Sequence, residues 1–188
     1  MKGVRTFIGI FPPPDIQAAI AHSQALLKPD SSGVRWEAQN KFHITLKFLG
    51  NLNPPQEEKL RSELSPAGEA LAPFSIVLRS IGCFPDVRSP RIIWIGSSRD
   101  GNPSLSKCFA VVDEYCAVAG FKEEERPFLP HITLGRVKGK ISDVLIKKIE
   151  TVTFEPLQFL CTELLIMKSD LSPSGSAYSQ QFIIPLKH

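Results

Sequence analysis

The chain contains an identical repeat, His-Ile-Thr-Leu, at residues 43–46 and again at residues 131–134. The chain holds only four histidines, so half of them fall in the same four-residue context. The two copies lie 88 positions apart, from residue 43 to residue 131, in a chain of 188 residues. Repetition at close to half the chain length predicts a duplicated structural unit, and we expect two related lobes.

Each copy of the repeat has the alternation of a β-strand. Side chains at positions i and i+2 of a strand share one face. Alternation therefore predicts His43, Thr45 and Lys47 on one face of the first strand, and His131 and Thr133 on one face of the second. The intervening isoleucines and leucines face a core. If the two strands meet across a pseudo-twofold axis, two imidazoles and two hydroxyls line one cleft.

The remaining pattern predicts an α+β fold in which each repeat strand is followed by a helix. The predicted order is strand, helix, strand, helix, two strands, helix, strand, helix and then a run of strands. The repeat strands are predicted at Phe42–Leu49 and Ile132–Val137, a helix at Glu57–Leu71, and one continuous strand at Phe74–Ile81. No linker interrupts this order, so we expect residues 1–188 to form one domain of two lobes.

Charge and cysteine content narrow the function classes. The formal net charge is +3, with 22 basic and 19 acidic residues. That balance suits an anionic ligand in a local cleft and does not give the broad basic field of a protein that coats duplex nucleic acid. Four cysteines at positions 83, 108, 116 and 161 include no CxxC pair, which favours reduced thiols in an intracellular protein.

The beginning of the sequence does not read as a targeting or membrane segment. Its basic residues precede a short apolar run that ends at Pro12, well short of a signal-peptide core. No later stretch approaches the length of a membrane span. We expect a soluble, cytoplasmic protein.

Paired imidazoles beside hydroxyls suit attack at a phosphorus centre. One neutral imidazole takes a proton from the attacking water or hydroxyl, and one protonated imidazole donates a proton to the departing oxygen. Threonine hydroxyls can donate hydrogen bonds to the non-bridging oxygens, and a nearby Lys47 or Arg136 can offset the developing charge. This scheme needs no metal or other cofactor.

Three other roles for the two histidines are a structural role, zinc binding and pairing with a nucleophilic cysteine. A single histidine on a strand is commonly a structural residue, but two identical copies favour function. A zinc site needs three or four ligands, and only His43 and His131 are candidates by pattern. A Cys–His nucleophilic pair is open, although none of the four cysteines has a recognisable activating context.

The repeat and its flanking sequences resemble the 2H phosphoesterase superfamily. Within it the chain is similar to the RNA 2′,3′-cyclic phosphodiesterases, a LigT-like group also called 2′-5′ RNA ligases. The resemblance extends over nearly the whole chain, through RTFIGIF, VRWEAQNKFHITLKFLG, GCFPDVRSPRIIWIG, RPFLPHITLGRVK and KSDLSPSGSAY. It implies a bilobal α+β fold with two antiparallel β-sheets flanked by helices and an active cleft between them.

The resemblance also implies an activity and site residues. The activity is metal-independent hydrolysis of a terminal 2′,3′-cyclic phosphate of RNA to a 2′-phosphate. His43 corresponds to the general acid and His131 to the general base. Thr45, Thr133 and Arg136 correspond to the residues that bind the phosphate.

Several other side chains are candidates for secondary roles. Arg136 has the wrong parity to share a face with His131, unless Gly135 marks a β-bulge. Phe48 falls on the core face by alternation, so we favour packing over base stacking for it. Phe84, in a turn-rich hairpin, is a freer candidate for stacking on a nucleobase. Trp36 and Trp94 are expected to be core residues or to pack between the lobes, and Arg5 could add positive potential.

The sequence leaves four functions to compare. The favoured one is hydrolysis of RNA ends that carry a 2′,3′-cyclic phosphate, by a monomer. Ligation of such an end to a 5′-hydroxyl uses the same two imidazoles in the reverse sense. The substrate could instead be a small cyclic nucleotide, and the chain could bind RNA ends without turnover.

Overall fold

The computed structural model describes residues 3–30, 32–97, 102–172 and 175–187. Pro173 and Ser174, part of the KSDLSPSGSAY stretch, and the terminal His188 lie outside the described residues. The elements in chain order are β1 (Val4–Ile10), α1 (Pro14–Ala25), β2 (Val34–Trp36), β3 (Ile44–Leu52), α2 (Pro54–Leu64), α3 (Ala67–Ala70), β4 (Phe74–Leu78), β5 (Ser80–Phe84), β6 (Ile92–Gly96), α4 (Pro103–Val118), β7 (His131–Val137), α5 (Asp143–Thr151), β8 (Leu157–Cys161), β9 (Glu163–Ser172) and β10 (Gly175–Pro185).

The strands form one large and one small antiparallel sheet. The large sheet has the order β10-β9-β1-β3-β7-β6-β5, and β2 also pairs with β7. The small sheet consists of β4 and β8. The predicted α+β class is confirmed, and the strands of the two lobes are continuous as one sheet within the described residues.

The two lobes join where the two copies of the repeat meet. Strands β3 and β7 run antiparallel, and their recorded residue pair is Ile44 opposite Ile132. Each isoleucine is the second residue of its HITL copy, so the pseudo-twofold axis passes through this pair. One lobe then contains β3, β1, β9 and β10, and the other contains β7, β2, β6 and β5.

The lobes do not correspond to the two halves of the sequence. The hairpin β5–β6 comes from the first half of the chain but pairs with β7 of the second half. The hairpin β9–β10 comes from the second half but pairs with β1 of the first half. The 88-residue spacing therefore reflects two interlocked halves, and each lobe needs strands from both.

The helices cover one face of the large sheet. Residues of all four longer helices and of the small sheet share a single apolar cluster with that face, including Ile8, Ile44, Ile93 and Ile132. The opposite face carries only a small cluster around Phe7, Leu165 and Met167. We call this opposite face, which carries His43, Thr45, His131 and Thr133, the site face.

The bounds of one predicted helix and of one predicted strand differ most from the structure, and β3 runs from Ile44 to Leu52 where Phe42–Leu49 was predicted. Helix α2 begins at Pro54 because Asn53 caps it, in a reciprocal capping box with Gln56, and it ends at Leu64. The predicted strand Phe74–Ile81 divides at Arg79, because β4 belongs to the small sheet and β5 to the large one. No helix in the described part of the chain is long and apolar enough to cross a bilayer.

Candidate active site

A β-bulge follows each His-x-Thr motif at the same position. In the first copy, Gly9 pairs with Thr45 and Ile8 pairs with Lys47, so Leu46 is the extra residue. In the second copy, Trp94 pairs with Thr133 and Ile93 pairs with Gly135, so the extra residue is the corresponding Leu134. A bulge changes the alternation of every later side chain in its strand.

The first bulge reverses two predictions. Lys47 was expected on the site face with His43, but it lies almost fully buried on the helix-covered face. There its Nζ donates to Asp113 of α4 and to the carbonyl oxygen of Lys122. Phe48 was expected in the core, but it is 63% exposed and its ring lies 6.0 Å from that of Phe7 on the site face. Both predictions assumed an unbroken strand.

The second bulge accounts for the parity of Arg136. Leu134 and Gly135 both face the core, and the ring of Trp36 covers Gly135 at a distance that leaves no room for a Cβ atom. Arg136 then turns to the site face, where its Nε donates to Glu37 Oε1 at 3.0 Å. The structure therefore places Arg136 and Phe48 at corresponding positions of the two motifs.

The two imidazoles have the same anchoring. His43 Nδ1 donates to the carbonyl oxygen of Lys41, and His131 Nδ1 donates to the carbonyl oxygen of Leu129, each at 2.7 Å. A carbonyl only accepts, so Nδ1 carries the hydrogen in both rings. This leaves Nε2 of each histidine as the atom that accepts or releases a proton.

The neighbours of the two imidazoles differ. His43 is stacked by Phe11 at 5.1 Å and is flanked by Phe7 and, edge-on, by Tyr178. The strand position opposite His131 is Gly96, where a Cβ atom would lie 2.6 Å from the carbonyl oxygen of Pro130. No side chain can therefore occupy at His131 the place that Phe11 occupies at His43.

Burial lowers the pKa of both histidines. It is the largest effect at His43 and at His131, and the hydrogen bonds to backbone carbonyls oppose it. Glu37 raises the pKa of His43, whereas the charges of His131 and Arg136 lower it. The two imidazoles therefore lie close enough to influence each other, as the pseudo-twofold arrangement requires.

The remaining predicted aromatic residues divide between the two faces. Phe84 packs edge-on against His131, with ring centres 4.8 Å apart, and also contacts Trp94. Trp94 pairs with Thr133 and lies over Gly82, which places it on the site face and outside the core. Trp36 packs against the core cluster, as predicted.

Three residues of this region were not identified from the sequence. Phe11, Tyr178 and Glu37 reach the site through strand pairing, ring contacts and the second bulge, none of which has a local sequence signal. Arg5 is exposed, and its charge lowers the pKa of Tyr178. The structure therefore brings Arg5 to the edge of the site face.

The cysteines do not support a nucleophilic role. All four are free and buried. Burial raises the pKa of Cys83 to about 11 and the pKa of Cys116 and Cys161 to about 12, and it raises that of Cys108 as well. A thiol in this state is not a nucleophile at neutral pH, so the Cys–His alternative is wrong.

Neither ligand clusters nor cavities indicate a different centre. Among the described residues no three His, Cys, Asp or Glu side chains are grouped so as to hold a metal ion. A cavity of about 230 Å³ lies between α2 and β10, beside Leu60, Arg61 and Phe182, and contains none of the predicted site residues. The chemistry of the side chains, and not cavity volume, identifies the site.

Taken together, the fold and the site define a duplicated α+β protein with two symmetry-related His-x-Thr motifs on one open face. The sequence matches the family described as LigT like Phosphoesterase twice, over residues 10–94 and 95–178. The chain therefore belongs to the LigT-like phosphoesterase family. The two consecutive matches agree with the internal duplication.

Individual relatives agree with this assignment. The RNA 2′,3′-cyclic phosphodiesterase of Methanocaldococcus jannaschii is 36% identical over 180 residues, which is 93% of this chain and 96% of the relative. The enzyme of the same name from Thermotoga maritima is 29% identical over 93% of this chain and 91% of its own length. The crystal structure of E. coli LigT complexed with 3′-AMP is 27% identical, with a TM-score of 0.78 over 99% of both chains.

Proposed function

We propose that this protein hydrolyses the 2′,3′-cyclic phosphate at RNA ends to a 2′-phosphate, by paired-histidine acid–base catalysis without a metal. The observation that carries the proposal is the equivalent anchoring of His43 and His131 on one face, on either side of the Ile44–Ile132 pair. The names of the relatives from M. jannaschii and T. maritima supply the substrate class.

In the proposed mechanism His131 is the general base. Its neutral Nε2 accepts a proton from a water molecule, and the oxygen of that water forms the new bond to phosphorus. His131 is less enclosed by rings than His43, because among the described residues Phe84 packs against it and three rings pack against His43. A base that activates water must be reached by water, so this difference supports the assignment.

His43 is the general acid. Its protonated Nε2 donates to O3′ as the bond between phosphorus and O3′ breaks, which leaves a 3′-hydroxyl and a 2′-phosphate. One proton is taken by His131 and one is given by His43, so exchange with solvent restores the starting state. The enclosure of His43 by Phe7, Phe11 and Tyr178 suits a group that must meet a substrate oxygen and not bulk water.

The phosphate oxygens are held by the other site residues. Thr45 and Thr133 share the site face with the imidazoles, and their hydroxyls donate to the non-bridging oxygens. Arg136 stabilises the negative charge that develops in the transition state; its bond to Glu37 uses one of the five guanidinium N–H donors.

Phe48 is the better candidate for stacking on a nucleobase, because its ring is largely exposed on the site face, whereas Phe84 already packs against His131. Base–aromatic stacking contributes about 1–3 kcal/mol per base. Phe48→Ala is therefore expected to raise KM for oligonucleotides by roughly tenfold with little change in kcat. An unchanged KM would contradict a stacking role.

The decisive experiment uses an RNA oligonucleotide that ends in a 2′,3′-cyclic phosphate, in the presence of EDTA. The wild type should form the 2′-phosphate, and His43→Ala and His131→Ala should each lower the rate by about 10²–10⁴-fold. Loss of wild-type activity in EDTA would contradict the metal-independent mechanism. Binding without turnover would identify a non-catalytic RNA-end-binding module instead.

Two further arms separate the remaining alternatives. Addition of an RNA with a 5′-hydroxyl would yield a longer product if the protein were a 2′-5′ ligase. Faster turnover of a cyclic mononucleotide than of the oligonucleotide would identify a small-molecule phosphodiesterase. We further propose that residues 1–188 act as one two-lobed domain, as a monomer in the cytoplasm, which the four free cysteines support.

A further inference from the structure

The end of β2 brings a carboxylate to the site that the proposed mechanism does not use. Glu37 accepts a hydrogen bond from Arg136 Nε at 3.0 Å, with 16% of its side chain exposed. Its backbone is fixed as well, because Glu37 N donates to the carbonyl oxygen of Leu134 at 2.8 Å. Leu134 is the extra residue of the second bulge, so Glu37 is tied to the distortion that turns Arg136 toward the site face.

A buried amide from α1 completes this attachment. Gln24 Nε2 donates to the carbonyl oxygen of Glu37 at 2.9 Å and to that of Leu134 at 2.8 Å. Gln24 is almost fully buried. A buried side chain that bridges these two carbonyls holds the end of β2 against the bulge, so the position of Glu37 is built into the fold.

Strand register places Glu37 closer to His43 than to His131. Both β2 and β3 pair along the same edge of β7, with Ile44 opposite Ile132. Continuing that register by one residue puts His43 level with Thr133, while Glu37 is level with the adjacent Leu134. At ~3.3 Å per residue, Glu37 lies about 3 Å along the strand from the level of His43 and about 10 Å from that of His131.

We propose that Glu37 is a positioning residue that fixes the direction of catalysis, because it holds the Arg136 guanidinium on the site face and places its carboxylate beside His43, the histidine that must carry the proton. Without it, His43 would lose the carboxylate that distinguishes its charged surroundings from those of His131. The kinetic part of this inference rests on the proposed function, whereas the electrostatic part concerns the free protein.

The charged surroundings of His43 agree with this assignment. The charge of Glu37 raises the pKa of His43, whereas the charge that acts on the pKa of His131 is that of Arg136, which lowers it. The charged and titratable groups that face His43 are Glu37 at the end of β2, His131 and Arg136 of β7, and Tyr178 of β10. Phe7 of β1 and Phe11, just after β1, contribute aromatic rings. Glu37 is the carboxylate of this set.

The test compares Glu37→Gln with Glu124→Gln. Glutamine keeps an oxygen that accepts from Arg136 but removes the charge. Glu124 is the matched control, because it accepts from Arg126 Nε at 2.9 Å in the same type of ion pair, away from the site. Histidine pKa values are measured by NMR in the free protein, and the exposed His22 serves as an internal reference.

We expect Glu37→Gln to lower the pKa of His43, with a smaller change at His131. The high-pH limb of the kcat/KM profile for the cyclic-phosphate oligonucleotide should also move to lower pH. Glu37→Asp keeps the charge but shortens the side chain. Compared with Glu37→Gln, it should lower the pKa of His43 less and lower kcat/KM more. Glu124→Gln should behave as wild type.

Equal shifts at both histidines, or a Glu37→Gln titration identical to that of Glu124→Gln, would overturn the inference. The proposed function and the inference about Glu37 can be disproved independently of each other. If the wild type did not turn over cyclic phosphates, the proposed function would be wrong, and the NMR titration would still decide whether Glu37 distinguishes the two imidazoles.

Discussion

At the scale of single residues, the two histidines differ in their neighbours and not in their anchoring. Each donates through Nδ1 to the carbonyl oxygen two residues earlier. His43 has Phe11 across from its ring and feels the charge of Glu37, whereas the residue across from His131 is Gly96. In the proposed mechanism these neighbours, which lie outside the repeat, give the two imidazoles distinct roles.

The lowered pKa values predict the pH dependence of the reaction. The general base must be neutral, so the rate rises as pH increases through its pKa. The general acid must be protonated, so the rate falls as pH increases through its pKa. Both histidine pKa values lie below 6.5, so the maximum of a bell-shaped kcat/KM profile should lie below pH 6.5.

The measurement is kcat/KM for a cyclic-phosphate oligonucleotide from pH 4.5 to 9 at constant ionic strength. The two limbs belong to the coupled pair and not to one residue each. A maximum at pH 7 or above, or a curve with a single limb, would contradict the proposed division of labour.

At the scale of elements, the bulges decide which side chains lie on the site face. The sequence was sufficient to predict the strands, the duplication and the common face of His43, Thr45, His131 and Thr133, because alternation holds up to the third residue of each motif. It failed for Lys47 and Phe48, because a bulge depends on pairing with a neighbouring strand that is distant in sequence. Only Gly135 gave a local signal for a bulge.

The displaced Lys47 connects β3 to α4 in a way that can be measured. Its ion pair with Asp113 is buried, with side-chain exposures of 6% and 14%. Removing one partner of such a pair leaves an uncompensated charge, which costs about 3–5 kcal/mol. Lys47→Met is therefore expected to lower the free energy of unfolding by about 3 kcal/mol or more in urea titrations.

Two control variants test whether the loss of stability in Lys47→Met comes from the buried ion pair and not from removing any lysine. Lys187→Met breaks an exposed pair with Glu69 and should change the free energy of unfolding by less than about 1 kcal/mol. The double variant Lys47→Met with Asp113→Leu should recover most of the stability, because no charge is left unpaired. A double variant as unstable as the single one would show that the packing of Lys47, and not its charge, stabilises this junction.

At the scale of the whole molecule, the two halves of the chain are interlocked. Hairpin β5–β6 completes the lobe of β7, and hairpin β9–β10 completes the lobe of β1 and β3. The helices follow the same exchange: Gln24 of α1 contacts β7, and Asp113 of α4 contacts β3. Neither half contains a complete lobe, which the spacing of the repeat did not predict.

Separate polypeptides should therefore be unfolded. Residues 1–97 and residues 102–188, expressed alone, are expected to give the narrow amide dispersion of disordered chains in NMR spectra, because each exposes a sheet edge and an apolar face. Mixing the two should restore the dispersed spectrum of the intact chain. A folded spectrum from either half alone would contradict the interlocked architecture.

The position of Trp94 has a spectroscopic consequence. Its ring lies on the site face, over Gly82 and beside Phe84, whereas the second tryptophan, Trp36, packs behind β7 against the core. Replacing Trp36 with phenylalanine would leave one tryptophan, located next to Thr133, which can be excited selectively at 295 nm or longer. Its emission should then report occupancy of the site directly, so that ligand affinity can be titrated even in variants that no longer turn over.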